Sequence, residues 1–328
     1  MIDTLKYYIE RETDPYKNLA REKYLAETAG EGECILYLWQ NRHTVVIGRN
    51  QNAWQECRTT ELEKDGGHLA RRLSGGGAVY HDMGNLCFTF CVRTQDYDLR
   101  RQQSVIVEAC RLLGIPAEIS GRNDVLTGGR KFSGNSFYSH DGYSFHNGTL
   151  LLNVDMANLG KYLNPSKAKL SSKGVASVRS RVINLCDLKP ELTLTMMEDA
   201  MIAAFETVYG GKARSMTAAD FDEKHLEELH AQFASWDWNY GQMRPFTFSC
   251  AEKFSWGEIT LQFAVKDGLC EEVDVFTDSM DAEFASPLAD ALKGARFTVE
   301  SLCERVMSAP ECGEIAEDVC SLLREQDI

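Results

Sequence analysis

The sequence predicts an α+β protein with a large N-terminal domain and a small α+β C-terminal domain. Apolar runs of strand length and amphipathic stretches of helix length both occur along the 328 residues, but they do not alternate regularly as they would in a doubly wound sheet. After residue 246 the pattern changes to a β-hairpin followed by helices. We therefore expect one domain over residues 1–246 and a second over residues 247–328.

Short apolar runs bounded by turn residues predict the strands of the large domain. These runs are residues 34–39, 44–48, 86–92 and 149–154. Residues 104–113 have apolar side chains at helical spacing, and Gly114 ends this predicted helix. Thr195 and Glu198 form a capping-box pattern, which predicts the start of a helix that continues through Val208.

The predicted small domain begins with a hairpin. Large apolar residues occupy every second position from residue 259 to residue 265, Asp267-Gly268 is a favourable two-residue turn, and the alternation resumes at residues 273–275. Two helical stretches follow, the second with an apolar face within residues 315–322.

Composition and charge exclude several classes of function. The net charge of −14 argues against general binding of nucleic acid, which requires broad neutralisation of phosphates. No run of 18 apolar residues predicts a membrane span, and the charged N-terminal segment does not have the pattern of a signal peptide. We therefore expect a cytoplasmic protein that binds neither nucleic acid nor membrane.

The eleven cysteines are scattered, odd in number and without a C-x-x-C pair. Disulfide frameworks belong to small secreted chains, and zinc sites need clustered ligands. The expected role of these cysteines is therefore that of reduced thiols, used as small core residues.

One segment is basic although the chain as a whole is acidic. Residues 165–181 contain no acidic residue and five basic ones, namely Lys167, Lys169, Lys173, Arg179 and Arg181. A local concentration of positive charge in an acidic protein indicates a site for a small anionic ligand.

The most informative segment is RRLSGGGAVYHD, residues 71–82. Three consecutive glycines, Gly75 to Gly77, allow the backbone to approach a ligand closely and to present N–H groups to an anion. Arg72 can make a forked contact with phosphate or carboxylate. A triple glycine alone is typical of a mobile turn, but the residues on both sides favour a binding site.

A second segment places Lys131 between Gly129 and Gly134, in what we predict to be a short element. There its ammonium can be held against a phosphate, although a single lysine is more commonly a solvated surface residue. Nearby, Asp124 has two interpretations: it reaches a metal ion or a ribose hydroxyl, or it forms a local turn.

A third segment, His146-Asn147-Gly148-Thr149, leads into the predicted strand and supplies polar groups at its mouth. We interpret His146 as a structural hydrogen-bonding group, which is the commoner role of a lone histidine.

Common signatures of nucleotide-binding and hydrolytic enzymes are absent from the sequence. It contains no Walker A motif, no Rossmann G-x-G-x-x-G, no H-E-x-x-H and no G-x-S-x-G. A nucleotide would therefore have to bind by another type of site.

Taken together, these segments resemble those of lipoate–protein ligases, and the resemblance covers nearly the whole chain. The string RRxSGGGAVYHDxGN is highly specific, and further similar segments follow in the same order. They are DPYKNLA (14–20), VIGRNQN (46–52), GRND (121–124), RKFSG (130–134), FHNGTLLL (145–152), KYLNP (161–165) and KGVASVRSRV (173–182).

The resemblance implies a mixed β-sheet flanked by helices, as in class II aminoacyl-tRNA synthetases and biotin ligases, with the small C-terminal domain of the long ligases. It implies activation of lipoate by ATP with Mg²⁺ to lipoyl-AMP. Transfer to a lysine of an acceptor lipoyl domain, of 2-oxoacid dehydrogenases or of the glycine cleavage H protein, would follow.

The resemblance also implies roles for individual residues. Lys131 is the implied catalytic residue, Asp124 the candidate Mg²⁺ ligand, and residues 166–184 would close over the nucleotide. The implied adenylate site consists of Arg72, Gly77, Ala78, Val79, Tyr80, Asn123, Asp124, Lys131, Ser177 and Arg179. The implied lipoate site consists of Ser74, Gly75, Gly76, His81, Lys131, His146 and Gly148.

Two positions depart from the family pattern: Asn147 stands where many relatives have a second histidine, and Tyr138 where they have an arginine. These departures leave a non-catalytic function open, and a transferase of the same superfamily is a second alternative. The transferase would be an octanoyl or lipoyl transferase that uses a cysteine thioester, with Cys87 and Cys91 near the relevant segment, and needs no ATP. The non-catalytic alternative is a lipoate-binding protein.

Overall fold

The computed structural model describes residues 2–121, 123–163, 182–241, 246–326 and 328. Its strands, in chain order, are β1 (Thr4–Ile9), β2 (Glu33–Trp39), β3 (Thr44–Ile47), β4 (His68–Arg71), β5 (Val79–His81), β6 (Asn85–Arg93), β7 (Glu118–Ser120), β8 (Asp124–Thr127), β9 (Arg130–His140), β10 (Tyr143–Leu151), β11 (Ala213–Ser215), β12 (Phe248–Phe254), β13 (Gly257–Lys266) and β14 (Leu269–Thr277).

The α-helices of the described residues are α1 (Pro15–Thr28), α2 (Ala53–Glu56), α3 (Thr59–Lys64), α4 (Leu99–Leu112), α5 (Met156–Tyr162), α6 (Leu194–Tyr209), α7 (Glu223–Ala234), α8 (Trp236–Tyr240), α9 (Ala285–Leu292), α10 (Val299–Ser308) and α11 (Ala316–Arg324). None of these helices combines the length and the low charge needed to cross a membrane.

Within the described part of the chain, eight strands form one mixed sheet, in the order β11-β1-β2-β6-β10-β9-β8-β7. β1 runs parallel to both of its neighbours, and the other pairs are antiparallel. This mixed sheet with flanking helices confirms the predicted fold class. A small second sheet, β4-β3-β5, carries the two ends of the Gly-rich segment.

The alternation of side chains along β2 explains why every residue of this strand is buried. Leu36 and Leu38 lie in the core formed with α4 and α6, whereas Tyr37 and Trp39 lie in the core formed with α1 and α7. The apolar run at residues 34–39 therefore marks a strand with helices on both faces.

Arg71, at the end of β4, ties the small sheet to α8. Its buried guanidinium donates hydrogen bonds to five carbonyl oxygens, those of Gly48, Arg49, Gln51, Trp238 and Asn239. Burial lowers the pKa of Arg71 to about 10. The first of the two adjacent arginines is thus a structural residue, with its donors directed to the backbone.

The C-terminal part of the chain has its own hydrophobic core. β12, β13 and β14 form an antiparallel meander, and its apolar residues pack against those of α9, α10 and α11. The turn between β13 and β14 has positive φ at both Asp267 and Gly268, as a tight hairpin turn requires. The exact domain boundary at residues 246 and 247 stays a prediction.

Several predicted elements need correction. The strand predicted at residues 149–154 is wrong in its bounds: β10 starts at Tyr143 and ends at Leu151, because it pairs with both β6 and β9. His146 therefore lies within a strand and not at its mouth. Lys131 is not in a short element but near the start of the 11-residue strand β9.

The predicted helix boundaries also differ from the structure. The helix expected from residue 104 starts at Leu99, after its N-cap Asp98. The N-cap of α6 is Thr193 and not Thr195, and Glu198 binds Arg11, at 2.8 and 2.9 Å, instead of closing a capping box. In the C-terminal part, three α-helices are present where two helical stretches were expected.

We expect Arg71→Leu to lower the free energy of unfolding by about 3 kcal/mol or more, because it leaves buried carbonyl groups without donors. Equilibrium unfolding in urea measures this change. The control Arg324→Leu removes an exposed arginine whose carboxylate partner is 3.5 Å away, and should change stability by less than about 0.5 kcal/mol. Equal effects of the two substitutions would contradict the structural role of Arg71.

Candidate functional site

A cavity of about 410 Å³ lies where the Gly-rich segment faces the large sheet. Its wall includes Leu19 of α1, Trp39 of β2, Arg72 after β4, Lys131 of β9 and Gly148 of β10. The cavity therefore draws its wall from several elements that are distant in the sequence.

One row of paired residues crosses five strands, and four of its five residues line the cavity. This row is Trp39, Cys87, Thr149, Gly134 and Asp124. Four strand spacings separate its ends, which corresponds to about 19 Å. One end is apolar, at Trp39, and the other carries charge, at Asp124.

Lys131 and Asp124 form the charged end. Lys131 Nζ is 2.6 Å from Asp124 Oδ1, and both side chains are about a third exposed. A Cβ at Gly134 would be 2.9 Å from both Cε and Nζ of Lys131, so the lysine side chain lies directly over this glycine. Glycine at position 134 is thus needed for the position of the ammonium group.

Arg72 holds the Gly-rich segment in place through hydrogen bonds to its backbone. Its buried guanidinium donates hydrogen bonds to the carbonyl oxygens of Val46 (3.2 Å), Gly75 (2.7 Å) and Gly77 (2.9 Å). Burial lowers the pKa of Arg72 to about 10. The arginine still lines the cavity and remains charged at neutral pH.

The Gly-rich segment also approaches the end of β3 very closely. Gly76 has a φ of +90°, which disfavours residues with a Cβ. A Cβ at Gly48 would be only 2.1 Å from the carbonyl oxygen of Gly76. Both glycines are therefore required by the backbone path.

A buried polar network connects two residues of the cavity wall, Ser136 and Asn147, to the buried Glu22. Glu22 Oε1 accepts hydrogen bonds from Thr89 Oγ1 (2.7 Å) and Asn147 Nδ2 (2.9 Å). The amide oxygen of Asn147 accepts from Ser136 Oγ at 2.6 Å, and Ser136 Oγ is 2.9 Å from Ser74 Oγ. Asn147 stands where many relatives have a histidine. Together with Ser136 it connects Glu22 of α1 to Ser74, which precedes the three glycines.

The surroundings of Glu22 move the protonation equilibrium of its carboxyl group close to neutral pH. Burial raises its pKa to about 7, against the opposing effects of hydrogen bonds from Thr89 and Asn147 and of the charge on Arg72. The buried polar network therefore carries a carboxyl group whose charge changes in the physiological range.

His81 and His146, the two histidines of the predicted lipoate site, are both buried but differ in position. His81 lines the cavity; its Nδ1 is 3.3 Å from Asn41 Nδ2, so in this arrangement Nε2 carries the proton. His146 packs against Phe88 and Phe90, and its Nε2 is 2.7 Å from Asn135 Oδ1.

Burial lowers the pKa of each histidine to about 3, with the charge on Arg72 adding to the effect at His81. Both rings are therefore neutral at pH 7, and the surroundings of His146 fit the structural interpretation.

Most residues that the sequence singles out meet at this cavity. Its wall contains Arg72, Gly76, Gly77, Ala78, Val79, Tyr80, His81, Asn123, Lys131 and Gly148. Asp124 contacts Lys131 beside it, whereas Ser74, Gly75 and His146 are not among the residues of this wall. Ser177, Arg179 and the rest of the basic segment at residues 165–181 lie outside the described residues. The ligand contacts of all these residues stay predictions.

The wall also contains residues that are not among the predicted site residues, including Leu19, Trp39, Ser133 and Met280. Trp39 ends a predicted strand, which is a weak signal, and Met280 belongs to the C-terminal part of the chain. Tyr138 lies away from the wall; it stacks on Phe145, and the Arg49 guanidinium lies 5.8 Å from its ring centre.

The cysteines agree with the sequence prediction of reduced thiols. All eleven are free, and all except the partly exposed Cys186 are buried. Among the described residues, no group of three or more metal-binding side chains occurs.

Comparison with protein families gives two matches. The model of the lipoyl protein ligase A/B catalytic domain matches residues 14–206. The model of the bacterial lipoate protein ligase C-terminus matches residues 244–319.

Similar solved structures include LipL1 of P. falciparum in complex with lipoate, with 27% identity, a TM-score of 0.86 and coverage of 98% of this chain and 99% of that one. A bipartite lipoate protein ligase of Thermoplasma acidophilum, studied with its E2 lipoyl domain, has 25% identity, a TM-score of 0.66 and coverage of 75% and 99%. Lipoate-protein ligase A bound with ATP has 25% identity, a TM-score of 0.63 and coverage of 74% and 100%.

The raised pKa of Glu22 predicts a pH-dependent stability. Between the ordinary value of 4.5 and about 7, the folded state keeps a proton that the unfolded state has released. The contribution of Glu22 to the free energy of unfolding therefore falls as the pH rises through this window, by about 3 kcal/mol at most. Glu22→Gln removes this decline, so the variant should gain stability relative to the wild type from pH 5 to pH 8.

Urea unfolding at several pH values measures the difference. The matched control Glu228→Gln, which removes an exposed carboxyl group of α7, should show no comparable trend. A constant difference between Glu22→Gln and the wild type across this range would contradict the assignment.

Proposed function

Because this chain belongs to the family of lipoyl protein ligase A/B catalytic domains and is an enzyme of the lipoate-ligating class, we propose that it uses ATP to convert lipoate to lipoyl-AMP. We further propose that it transfers the lipoyl group to a lysine of an acceptor, either an E2 lipoyl domain or the glycine cleavage H protein. The observation that carries the proposal is the cavity with an apolar end at Trp39 and an ammonium group, Lys131, at its charged end.

The cavity suits an elongated acid with an apolar ring. The alkyl chain and dithiolane of lipoate would lie towards Leu19, Trp39 and Cys87, where the wall is apolar and the nearby His81 is uncharged. The carboxylate would then lie at Lys131. The solved relative in complex with lipoate supports this choice of acid.

Lys131 would stabilise the negative charge of the first step. Attack of the lipoate carboxylate on the α-phosphate of ATP brings two anions together, forms the acyl–phosphate bond and releases pyrophosphate. A fixed ammonium group reduces the repulsion and stabilises charge on the phosphoryl oxygens. Arg72 and the segment Gly77 to Tyr80, also in the wall, would hold the adenylate.

Mg²⁺ would be held by Asp124 together with the phosphates of ATP, since this ion commonly keeps only one or two protein carboxylates. The single carboxylate beside Lys131 fits that type of site. When bound, the ion supplies neutralisation of phosphate charge. Asp124 would also orient Lys131, because the two side chains already form an ion pair.

In the second step, the acceptor lysine amine would attack the acyl carbonyl carbon. The new amide bond forms, AMP leaves, and the amine loses its proton. Lys131 is again the group in position to stabilise negative charge on the carbonyl oxygen.

Two alternatives lead to different chemistry. A thioester transferase needs a reactive thiolate, and Cys87 does line the cavity, with its Sγ 3.6 Å from His81 Nδ1. However, burial raises the pKa of Cys87 and of Cys91 well above the usual value, with Glu22 adding to the effect. A thiol in this state is a poor nucleophile. The second alternative is a lipoate-binding protein that forms no adenylate.

Lipoate-dependent exchange of pyrophosphate into ATP tests the proposal. We expect exchange that requires ATP, Mg²⁺ and lipoate together. Tight binding of lipoate without exchange would favour the binding protein, and acyl transfer from a carrier protein without ATP would favour the transferase.

We expect Lys131→Ala to lower the rate of adenylate formation by roughly 100- to 1,000-fold, because it removes one preorganised charge donor. Lys131→Arg should also fail, since a wide planar guanidinium cannot replace the compact ammonium above Gly134. Pyrophosphate release measures both, with unfolding midpoints as the check on folding. Near-normal activity of the alanine variant would remove Lys131 from the mechanism.

We expect Cys87→Ser and Cys91→Ser to keep ligation per folded molecule, although a buried hydroxyl without a partner costs about 1–3 kcal/mol in stability. Intact-mass analysis of the enzyme after incubation with the acyl donor provides a second readout. An acyl group attached to either cysteine would place the enzyme in the transferase class.

A further inference from the structure

The C-terminal part of the chain reaches into the functional site through residues 277–283, which follow β14 and are called here the bridging segment. The backbone N–H of Gly76 donates a hydrogen bond to the Ser279 carbonyl oxygen at 2.8 Å. At the other side, Thr277 N donates to Asn50 O at 2.9 Å, and Asn50 Nδ2 donates to Ala282 O at 2.6 Å. The segment is therefore bound both to the Gly-rich segment and to the loop that follows β3.

This contact depends on the glycines of the Gly-rich segment. A Cβ at Gly75 would be 2.3 Å from the carbonyl oxygen of Ser279 and 2.7 Å from that of Met280. A Cβ at Gly76 would be 3.0 Å from the thioether sulfur of Met280. Because these glycines have no side chain, the bridging segment can pack directly against the Gly-rich segment at the edge of the cavity.

Met280 is the residue that this approach brings into the cavity wall. Its sulfur is 4.0 Å from Asn123 Nδ2, and Asn123 immediately precedes Asp124 at the start of β8. Met280 therefore stands at the charged end of the cavity, on the side of Lys131. The apolar end, at β2 and β6, lies several strands away.

We propose that Met280 contacts the nucleotide half of the acyl-adenylate and determines the affinity for ATP, so that the C-terminal part completes the nucleotide site. The inference rests on the proposed function, because it takes the occupant of the charged end to be an adenosine phosphate. A methionine side chain is flexible and polarisable, and its sulfur packs favourably against the face or edge of an aromatic ring. The adenine base offers such a ring, whereas the alkyl chain of lipoate does not.

The test compares the KM for ATP and the KM for lipoate, measured from pyrophosphate release, in the wild type, Met280→Ala and Met280→Leu. For Met280→Ala we expect the KM for ATP to rise about 10-fold, which corresponds to a loss of sulfur–aromatic contact and buried area. The KM for lipoate should stay within about 2-fold. Met280→Leu keeps the volume of the side chain and should restore most of the affinity for ATP.

Two further variants complete the experiment. Met307→Ala removes an exposed methionine of α10 in the same part of the chain and should leave both KM values unchanged. Met280→Glu places a negative charge beside an anionic nucleotide and should raise the KM for ATP more than alanine does. Met280 is only half-buried, so we expect both the alanine and the glutamate variant to fold. The KM for ATP of either folded variant then tests the role of Met280.

An unchanged KM for ATP, or a rise confined to the KM for lipoate, would overturn the inference. These outcomes differ from failure of the proposed function. If the wild type releases no pyrophosphate from ATP and lipoate, the proposed function fails. If the wild type is active and the Met280 variants match it, only the role of Met280 is refuted.

Discussion

The site depends on one close contact between two pieces of backbone, the end of β3 and the Gly-rich segment. A Cβ at Gly48 would be 2.1 Å from the carbonyl oxygen of Gly76, and Gly76 itself has a φ of +90°. The buried guanidinium of Arg72 donates hydrogen bonds to the carbonyl oxygens of Gly75 and Gly77. Nη1 and Nη2 of the buried arginine need acceptors, and the loop needs donors for its carbonyl groups, so each stabilises the other. The position of this segment in turn sets the cavity wall, the contact with Ser279 and the location of Met280.

The electrostatics of the cavity divide it into two parts. At the apolar end, burial keeps His81 and the thiol of Cys87 in their uncharged forms. At the other end, Lys131 and Asp124 are partly exposed and form an ion pair. Charge that is solvated or paired is tolerated, and isolated buried charge is not. An acid with a long apolar tail therefore has one favourable orientation, with its carboxylate at Lys131.

The sequence predicts correctly the features that neighbouring residues decide by themselves. The buried run of β2, the hairpin turn at Asp267-Gly268 and the close approach at the triple glycine all follow from the preferences of the residues involved. The predictions were wrong for strand lengths and positions that depend on pairing with strands distant in the sequence. The lengths of β9 and β10 come from pairing on both sides, and this register, not sequence spacing, brings Gly134 next to Asp124 and Thr149. Arg71 and Arg72 are adjacent and chemically identical, so only the fold assigns one to α8 and the other to the cavity.

The most direct test of the central claim is the intact mass of an acceptor lipoyl domain after incubation with this protein, lipoate, ATP and Mg²⁺. We predict a mass gain of one lipoyl group on the acceptor, lost when ATP is omitted and nearly lost when Lys131 is replaced by alanine. A gain of the same size without ATP, or an unmodified acceptor with all components and folded wild-type protein present, would contradict the claim.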